Sequence, residues 1–91
     1  MVLIIRDDMF EPALDAVTVG KAISEIRRKK KLSQDVVSGL AGIGRTHLSA
    51  IENGERKPTL ETLYKIACAM NVKMSDIVIL IEAKLDSNPR Y

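Results

Sequence analysis

The strongest constraint in this sequence is a glycine-containing break at residues 42–44, with the sequence Gly-Ile-Gly, between two short apolar patterns. Val37 and Ala41 lie four residues apart before the break, and Leu48 and Ile51 lie three apart after it. This spacing places apolar side chains on one face of a helix. Glycine has no Cβ and therefore tolerates the left-handed conformation that often ends a helix. The pattern predicts two short helices joined by a tight turn.

The remainder of the chain is also predicted to be helical. The 91 residues leave room for a single domain, and they include two Tyr, one Phe and no Trp. A β-sheet would favour more aromatic and β-branched residues, so the composition favours a small helical bundle. Residues 1–17 are predicted as an N-terminal extension with a short strand or arm, and 86–91 as a flexible tail. We predict an all-α fold of five helices near residues 18–30, 34–41, 45–53, 59–70 and 74–85.

Caps and burial are predicted from individual residues. Thr18 and Ser33 carry hydroxyl groups that can accept a hydrogen bond from the first turn of a helix, so they are predicted as N-caps. Cys68 falls within the fourth helix and is predicted to be a small buried apolar residue. The predicted inner stripe of that helix comprises Leu60, Leu63, Ala67 and Met70.

Residues that carry catalysis or bind metals are scarce. One cysteine and one histidine, His47, exclude an internal disulfide framework and the usual zinc sites. No nucleophile–base pattern and no phosphate-binding loop is visible, so we expect neither an enzyme nor a cofactor. The chain also has no run of about 18 apolar residues and no basic leader, which predicts a cytoplasmic protein.

Charge is distributed unevenly along the chain. Residues 1–20 hold one base and four acids, residues 21–58 hold nine bases and four acids, and residues 59–91 hold four of each. The middle segment therefore has a net charge of +5, although the whole chain has only +2. A basic segment of this kind attracts a polyanion, and salt weakens that attraction.

One face of the predicted third helix is suited to a nucleic-acid groove. Two short helices joined by a tight turn form a helix-turn-helix unit. Successive residues of a helix are about 100° apart, so the apolar residues of the third helix lie on one face. The opposite face has no acidic and no large apolar residue. An ordinary solvent-exposed face has the same composition, but this one also suits a groove lined with phosphates. Its members are Arg45, Thr46, Ser49, Ala50 and Asn53.

Residues 19–78 resemble the Cro and phage-repressor (XRE) type of helix-turn-helix domain. The resemblance rests on ISEIRR, LSQ and the long stretch AGIGRTHLSAIENGERKPTLETLYKIA. It implies a five-helix, lambda-repressor-like bundle that acts as a sequence-specific DNA-binding regulator of transcription, most often a repressor. It also implies a homodimer on a palindromic operator, in the cytoplasm of a bacterium or of a phage-infected cell and associated with the nucleoid.

The resemblance assigns roles to individual residues. Arg27 and Glu52 occupy positions that often form a buried ion pair. Base contacts are implied for Arg45, Thr46, Ser49 and Ala50.

Phosphate contacts are implied on both sides of the third helix. Gln34 begins the second helix, where a side-chain amide and free backbone N–H groups can meet a phosphate. Arg56 and Lys57 follow the third helix and can bind the DNA backbone beyond the groove. The full set comprises Gln34, Gly44, Asn53, Arg56 and Lys57.

The last predicted helix contains a continuous apolar run at residues 77–81. This run is apolar on more faces than one small core requires, which predicts an interface. Residues 2–5 are an alternative, pairing as strands across a dimer. The candidate interface residues are Ile77, Ile79, Leu80 and Ile81.

Several residues depart from the family pattern. Lys31 stands where Gly or Asn is common, so a left-handed conformation there would be mildly strained. Gly44 replaces the usual Ser or Thr cap of the third helix. Val36 and Leu40 replace polar residues and would form an exposed apolar strip, covered by residues 1–10 or by a partner.

A protein-interaction role is the main alternative to a dedicated repressor. In that case the chain is an antitoxin or similar module that binds a protein partner and uses its DNA-binding domain for autoregulation. A restriction–modification controller is a third alternative. The operator sequence and the regulated genes are not determined by the sequence.

Overall fold

A computed structural model describes residues 12–87 of the chain, and these residues form five α-helices without a strand. None of these five is long and apolar enough to cross a membrane. The all-α, five-helix prediction is confirmed, whereas the predicted arm in residues 1–10 lies outside the described residues. The helices are α1 (Ala16–Lys29), α2 (Gln34–Ala41), α3 (Arg45–Glu52), α4 (Leu60–Ala69) and α5 (Met74–Asp86).

The start of α1 differs from the prediction. The helix begins at Ala16, and its N-cap is Asp15 rather than Thr18. The Asp15 carboxylate accepts hydrogen bonds from the backbone N–H groups of Val17 and Thr18, both at 3.3 Å, and from the Thr18 hydroxyl at 2.7 Å. The Thr18 bond first, and the backbone bonds with it, hold the pKa of Asp15 below its ordinary value. Thr18 is instead a buried residue of the first turn.

The turn between α2 and α3 has the predicted form. Ser33 caps α2, its hydroxyl oxygen accepting from the backbone N–H of Val36 at 3.1 Å. Gly42 ends α2 in the left-handed conformation, with φ of 70°, and Gly44 is the N-cap that precedes α3. Lys31 also has a positive φ, 58°, as the comparison with the family pattern anticipated. Both ends of α2 are therefore set by local chemistry.

The inner face of α4 is only partly as predicted. Leu63, Ala67 and Met70 are buried, and Thr59 caps the helix. Leu60, the first residue of α4, is 72% exposed. Cys68 is exposed as well, since it lies about 140° around the helix from Leu63. Both burial predictions were wrong.

The apolar run in α5 does not form one continuous surface. Ile77 and Ile81 are buried in the core of the chain, so the prediction that they belong to an interface was wrong. Leu80 is half-buried against the same core, while Val78 and Ile79 remain exposed. Successive residues of a helix point about 100° apart, so a run of five apolar residues cannot share one face.

The hydrophobic core packs against the inner side of α3. α1 packs against α3 and α5, and α2 packs against α3 and α4. Gly20 of α1 permits the closest approach, because a Cβ at this position would lie 2.6 Å from the backbone oxygen of Glu52 and would also overlap the backbone oxygen of Ile51. Leu48 and Ile51 of α3 are fully buried among residues of the other helices. This packing fixes which side of α3 faces outward.

Candidate nucleic-acid interface

The outer face of α3, defined here as Arg45, Thr46, Ser49, Ala50 and Asn53, is accessible to a ligand. Arg45, Thr46 and Asn53 are exposed, and Ser49 and Ala50 are half-buried. The helix begins at Arg45, so its first N–H groups and the positive end of its dipole lie on the same side of the turn as this side chain. The face is thus open, polar and capable of donating hydrogen bonds.

A buried ion pair anchors the other side of α3. Arg27 Nε lies 2.7 Å from Glu52 Oε2, and its Nη2 donates to Oε1 at 2.9 Å, so the two groups meet in a bidentate arrangement. The remaining nitrogen, Nη1, donates to the backbone oxygen of Leu32 at 2.8 Å. The hydrogen bonds to Glu52 raise the pKa of Arg27 above its ordinary value. These contacts connect α1, the loop before α2 and the end of α3.

Gln34 also belongs to the hydrogen-bond network of Arg27 and Glu52. Its Nε2 donates to Glu52 Oε1 at 2.9 Å. Glu52 accepts from Arg27 as well, and an ionised carboxylate can only accept, so the nitrogen of the Gln34 amide is held toward it. The Gln34 oxygen is therefore oriented away from the carboxylate. We call Arg27, Glu52 and Gln34 the clamp.

Four of the predicted DNA contacts line one hollow. The hollow has a volume of about 270 Å³ and lies between the start of α2 and the first half of α3. The packing of α2 against α3 brings these two places together, so a predicted phosphate contact and three predicted base contacts share one hollow. The lining residues are Gln34, Arg45, Thr46 and Ser49.

The other predicted phosphate contacts lie at the ends of α3. Gly44, Arg56 and Lys57 are exposed, with Gly44 at the start of the helix and the two basic residues beyond its end. Asn53 donates from Nδ2 to the Ser49 hydroxyl at 3.4 Å, which links two members of the outer face. Two cations, Arg56 and Lys57, therefore lie beyond the C-terminal end of the outer face, and Arg45 supplies a cation at its N-terminal end.

Asp35 is a neighbour of this face that the sequence reading missed. Its Oδ1 lies 3.4 Å from Arg45 Nε. The helical wheel of α3 contains no acid on its outer side, but the acid comes from α2, across the turn. The spacing of residues along the chain did not reveal it, because residues 42–44 join the last turn of α2 to α3, and the packing of α2 against α3 brings Asp35 to Arg45.

Comparison with known proteins agrees with this geometry. Residues 23–77 match the helix-turn-helix family. The chain belongs to this family. The match covers more than half of the sequence, and the predicted resemblance to the Cro and phage-repressor type is confirmed. As a member, the chain is a DNA-binding regulator.

Individual relatives cover much of the same region. The chain is 38% identical over 60 residues to an uncharacterized HTH-type transcriptional regulator, y4dJ, of Sinorhizobium fredii. The alignment covers 66% of this chain and 78% of the relative. It is 37% identical over 62 residues to the immunity repressor protein of Bacillus phage phi105, covering 68% of this chain but only 43% of that repressor.

A solved structure shares the fold. The crystal structure of the restriction-modification controller protein C.AhdI from Aeromonas hydrophila superposes with a TM-score of 0.68. The sequences are 29% identical, and the alignment covers 71% of this chain and 98% of the controller. The lambda-repressor-like bundle is therefore shared with a known regulator.

Proposed function

We propose that this chain is a transcriptional repressor that binds a palindromic DNA operator as a homodimer. The observation that carries the proposal is the outer face of α3, which is open, free of acidic residues of its own and held rigidly by the clamp. A repressor acts by occupying DNA, so it requires a well-positioned recognition surface and no catalytic chemistry.

The proposed complex places α3 in the major groove. Arg45, Thr46 and Ser49 then face base edges, where guanidinium and hydroxyl groups form hydrogen bonds, and Ala50 contacts a thymine methyl group. The start of α2 crosses the DNA backbone, which brings the free backbone N–H groups at Gln34 near a phosphate. Gly44, Asn53, Arg56 and Lys57 complete the proposed phosphate contacts.

A homodimer doubles this limited contact area and accounts for a palindromic site. Apolar residues on the α4–α5 side support it. Leu60 and Ile79 are 72% and 62% exposed, and an apolar groove of about 420 Å³ is lined by Leu60, Val78 and Leu85 among others. Burying such residues against a second copy removes apolar surface from water. Of the four interface residues predicted from sequence, Ile79 is the exposed one and Leu80 is half-buried.

Selection from a random duplex pool, at a stated salt concentration, tests the proposal directly. We expect an enriched site with two inverted half-sites about one helical turn apart. Sedimentation of the same protein should show a dimer at micromolar concentration, and Ile79→Lys should shift it toward monomer. A pool that yields no enriched sequence would contradict the proposal, and a strictly monomeric chain would contradict its dimeric part.

The direction of regulation needs a second measurement. A reporter promoter overlapped by the selected site should lose expression when the chain is present. The similarity to a restriction-modification controller favours a second candidate, a controller of that kind. A selected site that lies in the promoter region of restriction and modification genes would support that candidate over a dedicated repressor.

An additional protein partner is supported by a separate observation. Val36 and Leu40 lie one turn apart on α2, and they are 46% and 69% exposed. Exposed apolar residues at this spacing are typical of a helix that contacts another protein, although single exposed apolar residues are common. The proposed cover by residues 1–10 lies outside the described residues. Val36→Ser together with Leu40→Ser should leave DNA binding unchanged and abolish binding to a protein partner.

A further inference from the structure

We propose that Asp35 determines DNA specificity by positioning the guanidinium group of Arg45. Asp35 lies in the first turn of α2, and its Oδ1 is 3.4 Å from Nε of Arg45, the first residue of α3. The inference rests on the proposed function, because it requires Arg45 to face a base pair. It adds an acidic residue, contributed by the neighbouring helix, to a face whose α3 residues are all neutral or cationic.

The geometry of a guanidinium group explains how Asp35 acts. Arginine presents one Nε–H donor and four Nη–H donors in a single plane. A carboxylate on the Nε side leaves Nη donors available, and two parallel donors match O6 and N7 of guanine. A long arginine side chain also loses rotamer freedom when it binds. In the bound complex, the attraction of Asp35 for Nε offsets part of that loss and directs the remaining donors toward a base.

The pair is poorly suited to stabilising the free protein. The side chains of Arg45 and Asp35 are 61% and 73% exposed, and 3.4 Å is longer than a charge-assisted hydrogen bond. Solvent screens an exposed pair of this kind, so it contributes little to folding. When a duplex displaces water from the face, the attraction strengthens because the local dielectric constant falls. The pair of Arg45 and Asp35 therefore stabilises mainly the DNA-bound state.

Asp35 also disfavours incorrect sites. A carboxylate at the DNA surface is repelled by phosphates. Where Arg45 meets a guanine, the paired cation compensates for that repulsion. Where Arg45 finds no suitable acceptor, the repulsion remains and weakens binding. Asp35 thus widens the difference in affinity between the operator and unrelated DNA.

The experiment compares the full chain with its Asp35→Asn variant in selection from a random duplex pool at one salt concentration. We expect the preference at one base pair of each half-site to fall about tenfold, within the range of a single side chain–base contact. Preferences at the other positions should not change. Affinity for an unrelated duplex should rise roughly twofold to fivefold, because one negative charge is lost near the phosphates.

Glu61→Gln provides a matched control. Glu61 also occupies the second position of a helix after a hydroxyl N-cap, and it pairs with a lysine, Lys65, at 3.5 Å. The variant changes the net charge by the same amount and removes an acid from an equivalent place in α4. It should leave the base preference at every position unchanged. If both variants changed base preference equally, net charge alone would account for the effect of Asp35→Asn. That result would overturn the inference.

A double-mutant cycle tests whether Asp35 acts through Arg45. In an Arg45→Ala background, Asp35→Asn should produce no further change in base preference. A change that persists in that background would mean that Asp35 reads DNA itself, which overturns the positioning role. Asp35→Glu keeps the charge and should retain part of the preference. Thermal unfolding should be similar for all of these variants.

The two proposals fail in different ways. If the unmodified chain enriches no sequence, the proposed function fails. If the unmodified chain enriches a defined site and Asp35→Asn enriches the same site with equal preference at every position, only the role of Asp35 is overturned.

Discussion

The two faces of α3 use the same chemical pair in opposite environments. On the inner face, Arg27 meets Glu52 at 2.7 Å, with side chains only 10% and 3% exposed. On the outer face, Arg45 lies 3.4 Å from Asp35, and both side chains are mostly in solvent. A buried charge without a partner is costly, whereas an exposed one is solvated by water. The inner pair therefore holds the helix in place, and the outer pair remains free to reorganise against a ligand.

This comparison separates folding from recognition within a single two-turn helix. Changes to the inner face should alter the free energy of unfolding and leave base preference unchanged in the molecules that remain folded. Changes to the outer face should alter base preference and leave the free energy of unfolding nearly unchanged.

Glu52→Ala should cause the largest loss of stability. It leaves the Arg27 guanidinium buried without its carboxylate and removes the acceptor of Gln34, so we expect a loss of about 3–5 kcal/mol in the free energy of unfolding. Urea unfolding followed by circular dichroism measures it. Glu61→Ala is the control, because its pair with Lys65 is exposed, and it should cost less than about 1 kcal/mol. Equal losses would remove the distinction between the two environments.

Gly20→Ala tests how closely α1 must approach the end of α3. The added Cβ would lie 2.6 Å from the Glu52 backbone oxygen, and backbone atoms cannot move aside cheaply. We expect a loss of roughly 1–3 kcal/mol in the free energy of unfolding. In Gly39→Ala, on α2, the new Cβ would meet no described atom within 4 Å apart from its chain neighbours and the backbone of α2. That control should instead stabilise the protein by about 0.5–1 kcal/mol, and a stable Gly20→Ala would show that α1 can shift.

Arg45→Ala tests the outer face. We expect DNA binding to weaken by about 1–3 kcal/mol and base preference to relax at one position of each half-site. The free energy of unfolding should change by less than about 0.5 kcal/mol, because the side chain is exposed. Competition binding with single-base variants of the selected site measures both quantities. Unchanged affinity and unchanged preference would show that this face does not read bases.

Lys57→Ala should produce the smallest and least selective effect. Lys57 follows α3 and is exposed, and we expect it to contact a phosphate. Its loss should weaken binding to all duplexes alike and reduce the slope of log affinity against log salt by about one. Lys65→Ala, on α4, should leave the slope unchanged. A sequence-dependent effect of Lys57→Ala would place this residue at a base edge.

Features that depend on neighbouring residues in the chain could be predicted well. Ser33 as a cap, Gly42 in a left-handed conformation and the limits of α2 were all correct, because each depends on a few adjacent residues. Thr18 shows the limit of such reasoning. It has a suitable hydroxyl, but Asp15 offers a stronger acceptor three residues earlier and takes the capping role.

Burial was predicted less well, because it depends on what lies opposite each side chain. Leu60 and Cys68 were expected inside and are exposed, whereas Ile77 and Ile81 were expected at an interface and lie in the core. A pattern of apolar residues shows which side of a helix faces the core. It does not show which turns of the helix lie beside the core. Position along the bundle supplies that information.

The amino-acid order alone determined that two short helices meet at a tight turn and present a face without acids of its own, because turn and helix chemistry acts over a few residues. The tertiary structure decided what stands beside that face. Asp35 approaches Arg45 because α2 packs against α3, and Gln34 of α2 reaches Glu52 of α3, which also binds Arg27 of α1. Contacts between helices depend on packing in three dimensions, which the spacing of residues along one helix does not encode.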